Sequence, residues 1–84
     1  MMALTASDYR AMALRARQAA ESPHVSGESL VYLGPTNLRV RFSGGTYLAR
    51  AAGITASCTA GPVLAIRAWA AKAEAEAVRL EATQ

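Results

Sequence analysis

Apolar and polar positions near the start of the chain recur with a helical period. Tyr9, Met12, Ala13, Ala16 and Ala20 fall on one side, and Arg10, Arg17 and Glu21 share another. Leu14 lies off the apolar stripe and is expected to be partly exposed. Thr5 and Asp8 have the spacing of a capping box, and Leu4 and Tyr9 that of a hydrophobic staple. A helix over about residues 6–21 follows, stopped by Ser22-Pro23, with SPHVSGE as a linker. The period then changes to two. Strands are predicted at about 29–33, 37–42 and 46–57, the third with a bend or bulge at Gly53. Gly34-Pro35-Thr36-Asn37 and Ser43-Gly44-Gly45 supply the turns between them. From Pro62 the helical period returns. Ile66, Trp69, Ala70, Ala73, Ala77 and Leu80 form the buried stripe of a helix over about 61–82, capped by Thr59 or Gly61.

The expected architecture is α+β in the order helix, three-stranded antiparallel sheet, helix (αβββα). Both helices pack on one face of the sheet, and residues 1–84 form a single small domain. Alanine supplies 20 of the 84 residues, so the core must rely on close approach rather than bulk. The mean hydropathy is +0.14 and charged residues are 18% of the chain, values that argue against disorder. No apolar run reaches the roughly 18 residues a membrane span needs, and the start MMALTASDYR lacks a secretory pattern. The expectation is a cytoplasmic protein, and the lone Cys58 agrees with a reducing compartment.

Cys58 sits in ITASCTAGP beside a Ser/Thr cluster, a setting that invites a nucleophile reading. Nucleophilic catalysis needs a base, and the one histidine, His24, falls in the linker and reads as a solvated loop residue. One Cys and one His cannot complete a tetrahedral metal site without carboxylates at suitable spacing, and no phosphate-cradling glycine pattern occurs. No catalytic residue, metal or cofactor is assigned, and Cys58 is read as a small side chain at a packed strand-to-helix junction. Lys72–Glu76 and Glu76–Arg79 read as surface pairs on the last helix.

Binding is the remaining class of function. The net charge is +3, and eight of nine basic residues are arginine, which favours bidentate carboxylate or phosphate partners. In the second strand Leu38, Val40 and Phe42 alternate with Arg39 and Arg41, so two arginines about 7 Å apart face solvent together. Arg50 joins them across the second hairpin if the register allows. These three are the candidates for contact with nucleic acid or an acidic partner. Tyr32 and Tyr47 fit either face of the sheet, whereas Trp69 reads as core. Leu64, Ala68, Ala71, Ala75 and Val78 form a second, weakly apolar stripe on the last helix, a candidate partner or dimer contact.

The element order over roughly residues 5–82 resembles the double-stranded-RNA-binding domain. Gly34-Pro35-Thr36-Asn37 is similar to that family's Gly-Pro-x-His loop, which enters an RNA minor groove. Val40 and Phe42 resemble its second strand, and Ser57 before an alanine-rich helix resembles its final junction. Two positions depart: Asn37 stands where the loop histidine would be, and Thr59-Ala60-Gly61-Pro62-Val63 lacks the lysines that grip phosphates. The resemblance implies the fold and a nucleic-acid-binding module, with weak, salt-sensitive association. In its length, its alanine and arginine content and its want of catalytic residues, the chain is also similar to small accessory proteins of bacteriophages from high-GC hosts. Some of those inhibit host defence, anti-CRISPR proteins among them. That likeness implies a non-enzymatic protein that binds and blocks a host protein or ribonucleoprotein in the host cytoplasm. A homodimer through the last helix is compatible with either reading.

Overall fold

A computed structural model of the chain describes residues 3–22, 25 and 28–83. The expectations for Pro23 and His24 lie outside the described residues. Helix α1 (Ala6–Ala20) opens with the capping box: Thr5 Oγ1 accepts from the Asp8 N–H at 3.1 Å, and Asp8 accepts from the Thr5 N–H at 2.9 Å. Leu4 and Tyr9, at the staple positions, are both half-buried against the core.

Four strands follow, not three: β1 (Ser29–Tyr32), β2 (Asn37–Ser43), β3 (Thr46–Ala51) and β4 (Ile54–Cys58), before helix α2 (Pro62–Ala82). They form an antiparallel meander in the order β1-β2-β3-β4. The expected long third strand over 46–57 is therefore a hairpin. Ala52 (φ 53°) and Gly53 (φ 77°) both adopt left-handed backbone, which makes a two-residue reversal rather than a bulge. Gly44 (φ 57°) and Gly45 (φ 85°) turn β2 into β3 in the same way. β1 also ends one residue earlier than expected. Leu33 leaves the strand, is fully buried, and donates its N–H to the Thr36 carbonyl across the β1–β2 loop.

α2 lies across β4, β3 and β2, whereas α1 packs chiefly on α2 and meets the sheet along β1. Within the expected packing of both helices on one face, the shares are unequal: α2 covers most of the face and α1 extends the core from it. The helices run antiparallel. Arg10 pairs with Glu81 and Arg17 with Glu74, so an advance of two turns along α1 matches the same retreat along α2. Their buried sides carry alanines, Ala13, Ala16 and Ala20 on α1 and Ala70, Ala73 and Ala77 on α2. Side chains this small let helices approach closely and bury backbone-proximal surface. Leu14, as expected, is exposed.

The large side chains gather where helix and sheet meet: Trp69, Met12, Leu33, Leu38, Ile66 and Val40 are all fully buried. Val40, Ala49 and Ala56 face one another across three strands on the covered side. Trp69 brings its polar edge inside as well. Its indole N–H donates to the carbonyls of Ala51 (3.2 Å) and Ile54 (3.1 Å), the residues flanking the Ala52-Gly53 turn. No helix among the described residues is long and apolar enough to cross a membrane.

Candidate functional site

The uncovered face of the sheet follows from the period-two pattern and the register. β2 points Leu38 and Val40 into the core, so Arg39 and Arg41 point away from it. Two consecutive two-residue turns then set the rows across the strands. Leu30, Arg39, Arg50 and Thr55 form one row, and Arg41, Leu48 and Ser57 the next. Arg50 therefore joins the other two arginines, and it does so directly opposite Arg39. Partners across an antiparallel pair lie about 4.5–5.5 Å apart at Cα, closer than the spacing between Arg39 and Arg41 along the strand.

These three side chains surround an open groove of about 450 Å³ with Leu48 and Thr55 in its lining, bounded by the Ala51–Gly53 turn. Among the described residues no carboxylate lines it. Glu28 borders a neighbouring depression shared with Arg39 and Arg41 on the β1 side. The remaining acids largely serve the helices: Asp8 caps α1, Glu74 and Glu81 pair with Arg17 and Arg10, and Glu76 pairs with Arg79. Hydrogen bonding to Arg79 holds the Glu76 carboxyl below its ordinary range and raises the Arg79 guanidinium in turn. Arg39, Arg41 and Arg50 make no ion pair among the described residues. Three of the helix arginines thus have carboxylate partners, whereas none of the three strand arginines does among the described residues.

The rim of the face is apolar and aromatic. Leu30 is 67% and Tyr32 69% exposed, and the Arg15 guanidinium sits 5.8 Å from the centre of the Tyr32 ring. Paired with Asn37 two residues from Arg39, Tyr32 is on the open face, and Tyr47 is on the covered one, where it meets Phe42 edge-on at 4.7 Å. Lys72 departs from its expected pairing with Glu76 and donates to the Thr55 carbonyl at 2.8 Å, which brings a fourth cation beside the groove at the β4 edge.

The other candidates lie elsewhere. On α2, Leu64, Ala71, Ala75 and Val78 are exposed and Ala68 is half-buried, a stripe remote in the fold from the sheet arginines. Cys58 is half-buried on the covered side opposite Tyr47, and its sulfur accepts from the Ala60 N–H at 3.4 Å. Gly61, without a side chain, is the residue that caps α2, and the first turn of that helix carries no acid. Among the described residues no group of three His, Cys, Asp or Glu side chains could hold a metal ion. Thr55 and Leu48 were not singled out by sequence reasoning; recognising Ala52-Gly53 as a turn would have placed Thr55 in the row of Arg50. Neither a protein-family model, nor a curated protein, nor a solved structure matches this chain.

Proposed function

We propose that this chain is a non-enzymatic binding protein that lays the open face of its sheet on an acidic surface of a protein partner and blocks it. The observation that carries the reading is the groove of Arg39, Arg41 and Arg50, three guanidinium groups with no carboxylate in the lining. Guanidinium forks match carboxylates bidentately. The surrounding Tyr32, Leu30 and Leu48 give the mixture of arginine, aromatic and aliphatic surface found at the centres of protein interfaces. The likeness to phage accessory proteins supports the same mode of action, inhibition by occupancy.

Duplex nucleic acid is the weaker fit. Its affinity grows with the number of phosphates neutralised, and the first turn of α2, where the double-stranded-RNA-binding family has its lysines, is uncharged here. The test titrates the chain with a peptide bearing glutamate at every second position and with duplex RNA and DNA, at several salt concentrations. The acidic peptide should bind, and Arg39→Ala/Arg41→Ala should remove that binding while Leu64→Asp leaves it. Micromolar or tighter RNA binding at physiological salt, lost in the arginine double variant, would replace this reading with a nucleic-acid-binding module.

A further inference from the structure

We infer that the groove between Arg39 and Arg50 is a site for a phosphate monoester dianion carried by a protein partner, that is, for a phosphorylated side chain. The inference rests on the reading above and sharpens its chemistry. Arg39 and Arg50 are direct cross-strand partners. Like charges in that relation destabilise a sheet, and among the described residues neither has an acid paired with it. The groove they line holds a third guanidinium, Arg41, and no carboxylate. Lys72, seated on the Thr55 carbonyl, adds positive potential at the adjoining edge.

A single carboxylate brings one charge and one pair of acceptor oxygens, so it satisfies one fork and leaves the other uncompensated. A phosphate monoester brings a charge of about −1.5 to −2 and three acceptor oxygens in one compact group. It can accept from both guanidinium forks at once. Thr55, the next residue in the same cross-strand row as Arg50, has a hydroxyl that can donate to the third oxygen. Arg41, about 7 Å along β2 from Arg39, is placed to receive a neighbouring acid of the partner. Leu48 provides an apolar floor between them.

The test uses the full chain at physiological salt and three peptides of one sequence, with phosphoserine, glutamate or serine at the centre, beside a short 5′-phosphorylated DNA strand. Calorimetry should show the phosphoserine peptide binding at least about tenfold more tightly than the glutamate peptide, and the serine peptide weakest. Arg39→Ala or Arg50→Ala should abolish that preference, and Arg50→Lys, which keeps charge but loses the fork, should restore only part of it. Arg41→Ala should weaken the phosphoserine and glutamate peptides alike. Equal binding of those two peptides, lost together in the arginine variants, overturns the dianion site and leaves the acidic-surface reading standing. Failure of both peptides to bind overturns both. Tighter binding of the phosphorylated DNA than of the phosphoserine peptide overturns the protein source.

Discussion

Trp69 donates its indole N–H to the Ile54 carbonyl at 3.1 Å, so the largest buried side chain of α2 is also tied to the first residue of β4. The same N–H is shared with the Ala51 carbonyl on the other side of the turn. Trp69→Ala removes both the packing and the clamp and should cost roughly 3–5 kcal/mol. Trp69→Phe keeps much of the volume but leaves two carbonyls short of a donor, a loss of about 1–3 kcal/mol. Urea unfolding of the two variants separates these contributions; an unchanged midpoint for Trp69→Ala would remove the tryptophan from the core.

Ala52 occupies left-handed backbone, which for a residue with a Cβ is about 1–2 kcal/mol less favourable than the right-handed region. Ala52→Asn restores the residue pair that two-residue hairpins prefer and should raise stability by about 0.5–1 kcal/mol. Gly53→Ala should lower it. Opposite shifts in thermal midpoint check the pair, and equal shifts would contradict the turn.

Arg39 and Arg50 face each other with no acid paired to either among the described residues, so Arg50→Thr should stabilise the free protein by about 0.2–1 kcal/mol while it removes the preference for the phosphoserine peptide. The gain should shrink as salt is added, since both groups are exposed and screened. Melting curves at low and high ionic strength test both parts.

Between the helices, close approach should matter more than charge. The Arg17–Glu74 pair is 45% and 44% exposed, so Arg17→Ala should cost less than about 1 kcal/mol. Ala16 is fully buried, and Ala16→Leu should cost roughly 1–3 kcal/mol through overpacking. Denaturant midpoints in the reverse order would mean that the ion pairs hold the helices together.

Cys58→Ser should leave binding intact. The serine oxygen can take over acceptance from the Ala60 N–H, and the half-buried site limits the loss to about 1 kcal/mol. A folded Cys58→Ser protein without binding activity would make the thiol functional.

Local patterns made much of this fold legible. The Thr5–Asp8 capping box, the Pro62 start of α2, the exposed Leu14 and the buried stripe from Ile66 through Trp69 to Ala77 all follow from residues a few positions apart, whereas Leu80, expected in that stripe, is only half-buried at its end. What periodicity leaves open is the identity of the surface on the other side. The alanine stripe of α1 says that it is buried, but not that its main neighbour is α2 rather than the sheet. The fourth strand was hidden because alanine carries no signal for positive φ, so Ala52-Gly53 reads as continuing strand with a kink. The groove depends on that turn and on the Gly44-Gly45 turn together. Only their combined register sets Arg50 opposite Arg39 and brings Thr55 beside it.

The helix pair also dictates how the chain must assemble. The strands join through short reversals, whereas the Arg10–Glu81 pair spans a sequence separation of 71 residues. Closing a segment of that length costs about 2 kcal/mol more in chain entropy than closing a short hairpin loop. The meander and the half of α2 that covers it can therefore form among near neighbours, and α1 is expected to dock last. Native-state hydrogen exchange should report this order as weaker amide protection in α1 than in β2 and β3. The Arg10–Glu81 pair also sets the start of α1 beside the end of α2. A chain in which a short linker joins the end of α2 to the start of α1, opened instead at the Gly44-Gly45 turn, should keep the fold.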